Sequence, residues 1–400
     1  MRILHTADWH LGRTLFGRKR YDEFKAFLDW LLQAIESEGI DVLLIAGDVF
    51  DTSTPSNRAQ ELYYDFLCRA ASSRCKHIVV IGGNHDSPSF LDAPKGLLRS
   101  LNVHVIGEAR RDPADEVLWL KAPDLIVCAV PYLRDRDVRT AEAGETLDEK
   151  AQKLLQGIKE HYSEARKAAE GLDAKAPIIA MGHLFTAGGQ TIEGDGVREL
   201  YVGSLAHVGA SIFNGFEYVA LGHLHVPQKV GGEETVRYSG SPLPMGFGEA
   251  KQQKSVCIID FGHSKPEVRT LDIPVFQAME SIRGGWEVIE ARLKAHAESK
   301  KSIWLELIYD GDEVISDLKD RLEALTSGSN MEILRVQNKR VYDQVLKQAR
   351  NEEKLDDLQP EDVFQRLLEQ SDIIPDQRDK LLHTYQEALQ LMNESDSKAN

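Results

Sequence analysis

Five apolar runs in this 400-residue chain each end in side chains able to bind divalent cations. Arg2–Thr6 leads to Asp8 and His10, residues 41–46 lead to Asp48 and Asp51, and His77–Ile81 leads to Asn84, His85 and Asp86. Residues 177–180 lead to His183, and 218–221 lead to His223 and His225. One strand-end Asp or His is ordinarily a cap or a surface residue; five such endings in order are not explained that way. Carboxylate, imidazole and carboxamide together suit borderline ions such as Mn²⁺, Fe²⁺ or Zn²⁺ rather than a thiolate-bound structural zinc. D-x-H and H-x-H put both side chains on one face of an extended strand end, because side chains alternate with period two. The seven candidates Asp8, His10, Asp48, Asn84, His183, His223 and His225 are too many for one ion and suit two that share a carboxylate. Two such ions, roughly 3.5–4 Å apart, clamp a phosphoryl group for in-line displacement. The chemistry indicated is metal-assisted phosphoester hydrolysis. His85 adjoins a ligand and is free to act on substrate, by protonating a leaving oxygen or stabilising developing charge. Asp51, close after Asp48, is the candidate to orient it.

In this order, D-x-H, G-D-x-x-D, G-N-H-D, G-H and G-H-x-H resemble the motif set of the calcineurin-like metallophosphoesterase superfamily. Within it, HTADWHLGR, AGDVFDTSTPS, the pair GHLF and GHLH, and YSGSPLPMGF at 238–247 resemble the double-strand-break-repair nuclease family. The likeness is strong over residues 1–273 and weaker beyond. It implies Asp8, His10, Asp48 and His225 around one Mn²⁺, and Asp48, Asn84, His183 and His223 around a second, with Asp48 bridging. It also implies that His85 is the catalytic histidine. Some family members carry a histidine where this chain has Asp51, whereas phosphatases of the wider superfamily carry an aspartate. The implied activity is that of a Mn²⁺-dependent DNA nuclease, a 3′→5′ exonuclease on duplex ends and an endonuclease on single strands and hairpins. It would act with an SMC-like ATPase in DNA repair, recombination and replication, as a homodimer within a heterotetramer. The competing readings are a superfamily hydrolase of small phosphodiesters or phosphoproteins, and a non-catalytic scaffold for the ATPase. The intact ligand set and His85 argue against the scaffold.

The elements that must position these residues are buried strands alternating with helices. Phe24, Phe27, Leu28, Leu31 and Leu32 recur at helical spacing over 21–37, and Pro55 opens a helix reaching about residue 71. In that second helix Leu62, Tyr63, Phe66 and Leu67 are either core or, as the resemblance implies, part of a dimer contact. Residues 90–101 read as helix, and 236–239, 255–261 and 268–271 read as consecutive antiparallel strands. Around Pro274 the pattern changes to helix at 286–298, strand at 302–308, helix at 313–325 and strand at 331–336. From 341 the chain is acidic and helical, with a restart at Pro360. The fold class expected is α/β (α+β): a two-sheet β-sandwich flanked by helices over 1–273, then a small α/β unit over 274–340, C-terminal helices over 341–392 and a disordered tail at 393–400. The resemblance makes the small unit a DNA-capping domain and the C-terminal helices a dock for the ATPase, through Val363, Phe364, Leu367 and Leu368.

Composition sets bounds on this reading. Hydrophobic content of 42% and charged content of 28% are ordinary for a globular chain. No apolar run approaches the ~20 residues of a membrane span. Met1 to Asp8 run straight into a strand without a signal-peptide core, so a cytoplasmic, nucleoid-associated location is expected. Cys68, Cys75, Cys128 and Cys257 are scattered and read as buried reduced thiols. The net charge of −16 argues against holding nucleic acid by bulk electrostatics. DNA contact must rest on local basic patches, on metal ions or on a partner. Arg13, Arg18, Lys19 and Arg20 form the densest basic cluster and are the candidate phosphate-backbone contacts, ahead of Arg134, Arg136 and Arg139. The remaining histidines, among them His5, His77, His104, His161 and His296, read as structural or solvent-exposed.

Overall fold

The computed structural model describes residues 1–140, 145–172, 175–186, 188–190, 208–262, 265–311, 315, 317–338, 381 and 385. The helices expected over 341–392, with Val363, Phe364, Leu367 and Leu368, and the tail at 393–400 therefore lie outside the described residues, apart from 381 and 385.

The chain opens with β1 (Arg2–Thr6), a short hairpin of β2 (Thr14–Leu15) and β3 (Arg18–Lys19), and helix α1 (Tyr21–Glu38). Then come β4 (Val42–Ala46), α2 (Asn57–Ala71), β5 (His77–Ile81), the short helices α3 (Pro88–Asp92) and α4 (Lys95–Arg99), and β6 (Val103–Ile106). The second half of the sandwich holds β7 (Val117–Lys121), β8 (Asp124–Ala129), α5 (Asp135–Val138), α6 (Leu147–Glu170), β9 (Ile178–His183) and β10 (Tyr218–Gly222). The chain continues through β11 (Gln228–Val230) and β12 (Glu233–Tyr238), then returns to the first sheet with β13 (Ser255–Asp260) and β14 (Glu267–Asp272). A last unit contains β15 (Ala278–Gly284), α7 (Trp286–Ser299), β16 (Ile303–Tyr309), α8 (Leu318–Thr326) and β17 (Met331–Asn338).

Two six-stranded sheets form the sandwich, in the orders β14-β13-β1-β4-β5-β6 and β11-β12-β10-β9-β8-β7. Period-two alternation builds three apolar layers from them. In β4, Val42, Leu44 and Ala46 point between the sheets, where they meet Val127, Met181 and Ala220. Leu43 and Ile45 point the other way, into the layer that holds Phe24, Phe27 and Leu31 of α1 and Tyr63, Phe66 and Leu67 of α2. The second sheet packs its outer face on α6 through Leu154, Ile158 and Tyr162. Strands covered on both faces read as continuous apolar runs, which is why β4 and β5 are so plain in the sequence. Leu62, Tyr63, Phe66 and Leu67 are all buried within this single chain, so the α2 stripe is core rather than a free dimer face.

Several expectations are corrected. The strand at 233–238 does not precede β13 in one antiparallel meander: β12 lies in the second sheet, parallel to β10, while β13 and β14 pair antiparallel in the first. The helix expected over 90–101 is two short pieces, because Pro94 takes the position between them. Cys68 is exposed, whereas Cys75, Cys128 and Cys257 are buried, and all four are free thiols. The small unit is a parallel sheet β15-β16-β17 with its own core around Leu293, Leu305 and Leu307. Its first strand, β15, was not anticipated. No helix among the described residues is long and apolar enough to cross a membrane.

Candidate metal centre

β1, β4 and β5 run parallel to one another, as do β9 and β10, and the loops after their C-terminal ends carry the candidate ligands. The first loop is anchored by Trp9, which points away from its two flanking ligands into the core. There it packs edge-on against Phe27 and Phe66 and donates Nε1–H to Thr6 Oγ1 at 3.0 Å. Main-chain bonds join this loop to the next, with Asp8 N donating to Gly47 O (3.0 Å) and His10 N to Asp48 O (2.9 Å). Asp86 ties the second loop to the third. Its Oδ2 accepts from Gly83 N (2.9 Å) and Val49 N (3.1 Å), and its Oδ1 accepts from Phe50 N (2.9 Å).

The backbone is held in a costly shape here. Asp8, His10, Asp48 and His223 have φ of 53°, 47°, 47° and 106°, a region that L residues seldom occupy. Each such residue costs of order 1–3 kcal/mol and persists only where its surroundings enforce it. Gly47 and Gly83 allow the close approach that results: a Cβ at Gly47 would collide with the His183 ring, and one at Gly83 with Asp48.

Ligand-capable atoms of Asp8, His10 and His225 lie within 4.8 Å of one another, as do those of Asp48, His183 and His223. Asp48 stands between the two groups, its Oδ2 3.5 Å from His10 Nε2 and 3.4 Å from His183 Nε2. Asn84 Oδ1 lies 3.0 Å from His183 Nε2 and 3.1 Å from His223 Nδ1. His183 Nδ1 donates to Ala46 O at 3.0 Å, and its Nε2 faces Asn84 Oδ1 and Asp48 Oδ2, donating to them when the ring is protonated and turning a lone pair toward them when it is neutral. On the other side, His10 Nε2 and His225 Nε2 face each other at 3.1 Å. Asp8 Oδ2 and His223 Nε2 are buried with no hydrogen-bond partner.

Buried carboxylate and imidazole atoms without partners, set among a carboxamide oxygen and further imidazoles, fit cations among them. The charge balance of the bare protein carries the same mark. Burial, reinforced by the Asp48 charge, pushes the Asp8 carboxyl up to about 7. Burial brings His10 down to about 4 and His223 well below the usual imidazole range. Burial also works against charge on His183, yet Asp48 outweighs it and raises that ring to about 9, while Asp48 itself is held well below the carboxylate range. A divalent ion would favour the ionised carboxylates and neutral imidazoles that ligation needs.

His85 sits at the edge of this group, its ring 4.8 Å from that of His10. Its main-chain N–H donates to Asp48 Oδ1 (2.9 Å), and its Nδ1 donates to Asp51 O at 2.8 Å. The partner is therefore the main-chain carbonyl of Asp51, not the carboxylate expected to orient His85. The Asp51 carboxylate turns instead to His10 Nδ1 (3.5 Å) and Arg13 (3.3 Å). The basic cluster divides too. Arg18 and Lys19 are exposed, but Arg20 is only 2% exposed and spans Glu23 Oε1 (2.6 Å) and Pro244 O (2.7 Å). Arg20 is corrected from candidate DNA contact to structural ion pair. Behind His225 lie Glu249 and Lys254, both buried, which the sequence reading passed over. The one available signal was that Glu249 closely follows the YSGSPLPMGF stretch.

Residues 1–227 match the model of the calcineurin-like phosphoesterase family, and residues 275–372 match that of the type 5 capsule protein repressor C-terminal domain. The chain is 36% identical to the SbcD subunit of nuclease SbcCD from Escherichia coli K12 over 392 residues, 96% of this chain and 97% of that one. The SbcD subunit of Bacillus subtilis 168 is 40% identical over 272 residues, covering 65% of this chain and 66% of the relative. That of Rhodobacter capsulatus is 37% identical over 292 residues, covering 69% and 70%.

Proposed function

The chain belongs to the calcineurin-like phosphoesterases, among the SbcD subunits of SbcCD nucleases, and from that premise we propose how its site works as a DNA nuclease. It is a metal-dependent phosphodiesterase. The observation that carries the finer reading is the double set of ligand-capable atoms, one around Asp8, His10 and His225 and one around Asn84, His183 and His223, with Asp48 between them. We assign each set one Mn²⁺, with Asp48 shared. The ions supply Lewis-acid activation of the phosphodiester and neutralise its charge.

The protein's own part is positional. Asp48 holds the main-chain N–H of His85, and Asp51 O fixes the His85 ring through Nδ1, which leaves Nε2 as the atom available to a substrate oxygen. As the imidazolium, with Nδ1–H kept on Asp51 O, the ring delivers its Nε2 proton to the leaving oxygen or stabilises its charge. Arg13, Arg18 and Lys19 are assigned to the phosphate backbone. Arg13 also lines a cavity of roughly 740 Å³ between the β2–β3 hairpin and the third sheet, with Arg283 and Arg335 on its far side. That arrangement supports reading 274–340 as a unit that caps DNA over the site.

The partner is assigned as an SbcC-type ATPase, engaged through 341–392, in a heterotetramer containing two copies of this chain. The substrate forms assigned are duplex ends, cut 3′→5′, and single strands and hairpins, cut internally. The test is cleavage of blunt duplex, hairpin and single-stranded DNA with Mn²⁺, Mg²⁺ or chelator, with and without the ATPase. Mn²⁺-dependent cleavage, increased by the ATPase, is expected. Hydrolysis of small phosphodiesters with no DNA cleaved in either state would make the chain a different hydrolase of the family.

A further inference from the structure

Behind His225 lies a buried ion pair that the proposed reaction does not itself use. Glu249 is 0% exposed and Lys254 4%. Lys254 Nζ bonds Glu249 Oε2, and also donates to His225 O (3.0 Å), Ser241 Oγ (3.1 Å) and Gln252 Oε1 (3.1 Å). Glu249 Oε2 further accepts from Met245 N at 3.2 Å. Its other oxygen, Oε1, is buried with no hydrogen-bond partner and lies 3.6 Å from His225 Nδ1. The pair thus meets one residue at both ends: Lys254 bonds its main chain, and the Glu249 carboxylate faces its ring.

Burying such a pair is costly compared with apolar side chains of the same volume, so its presence at this place calls for a reason. The reason lies in the asymmetry of the site. His10 and His225 each have a carboxylate behind Nδ1, from Asp51 (3.5 Å) and Glu249. At His183 Nδ1 the hydrogen-bond partner is instead the neutral Ala46 carbonyl (3.0 Å), with Asp8 Oδ1 farther off at 3.9 Å, and His223 Nε2 has no hydrogen-bond partner. A carboxylate behind an imidazole fixes the tautomer, leaves the opposite nitrogen bare and makes it a stronger donor to a cation.

We infer that Glu249, clamped by Lys254, is a positioning residue that holds His225 as a ligand and sets the affinity of the ion bound with Asp8 and His10. The inference rests on the two-ion reading of the site. Glu249→Gln keeps the shape and removes the charge. In the full-length chain, Mn²⁺ titration against a competing fluorescent chelator should show one of the two ions bound about 10- to 100-fold more weakly and the other unchanged. At limiting Mn²⁺ the electron-paramagnetic signal of a coupled ion pair should give way to that of an isolated ion. Lys254→Met should shift the same ion in the same direction, because an unclamped Glu249 no longer holds its charge against the ring. Unchanged affinity for both ions would overturn the inference. So would equal weakening of both, or a lower melting temperature of the metal-free protein with both affinities intact, which is the mark of a purely structural pair. Failure of the two-ion reading looks different: the unsubstituted chain would then bind fewer than two Mn²⁺.

Discussion

Asp51 and His85 separate two tasks that a sequence assigns to one pair. Because His85 Nδ1 donates to the main-chain carbonyl of Asp51, the side chain at 51 can change without freeing the ring. Its carboxylate faces His10 instead. His85→Ala should therefore lower DNA cleavage by about 10²–10⁴-fold with metal and DNA binding retained. Asp51→Asn should mainly raise the Mn²⁺ concentration needed for half-maximal cleavage, with near-normal turnover at saturating Mn²⁺. Single-turnover rates across a Mn²⁺ series check both, and equal losses in the two variants would restore the carboxylate to the orienting role. The seven candidate ligands were legible because Asp, Asn and His recur at the ends of five apolar runs. The orienting carbonyl was not, since every residue type carries one. Arg20 was misread for a related reason: a guanidinium beside Glu23 looks the same in a sequence whether it is solvated or buried.

At the scale of elements, strands buried on both faces announced themselves, whereas their partners did not. The pattern of 233–238 is the same whether it pairs with β10 or β13, so its sheet could not be read from alternation. The two-residue strands β2 and β3 carry no periodicity at all. His5, like His183, joins the two sheets by polar contact. His5 on β1 meets Tyr218 OH on β10 through Nδ1 (2.9 Å) and Leu221 O through Nε2 (3.2 Å). The carbonyl requires Nε2–H, so Nδ1 accepts from the tyrosine and the ring is neutral. Burial lowers this histidine to about 3 from 6.5. Its folded value lies below its unfolded value, so the unfolded chain binds the extra proton between those limits. Its contribution is intact above about pH 6.5 and is lost progressively as pH falls toward 3. From pH 6.5 to 5 the loss is about 2 kcal/mol. Denaturant unfolding at pH 7 and pH 5 should show a shallower acid loss in His5→Gln than in the unsubstituted chain. Identical slopes would mean that His5 does not carry that proton linkage.

The whole molecule is acidic, with a net charge of −16, yet acts on a polyanion. Local groups and a partner must therefore supply the grip. The C-terminal segment at 341–392 is assigned to that partner. Removing 341–400 should abolish co-elution with the SbcC-type ATPase on size exclusion, while hydrolysis of a small phosphodiester persists. An intact complex would place the docking surface elsewhere. The sandwich and its helical flanks were legible from hydrophobic pattern and motif order together. The third sheet was legible only in part, because β15 alternates weakly against its own small core. The central claim is that the strand-end side chains hold two ions. The most direct measurement is anomalous diffraction at the manganese edge from crystals of the Mn²⁺-loaded protein. Two peaks roughly 3.5–4 Å apart are predicted, one among Asp8, His10 and His225 and one among Asn84, His183 and His223, with Asp48 reaching both. A single peak, or peaks away from Asp48, would contradict the account.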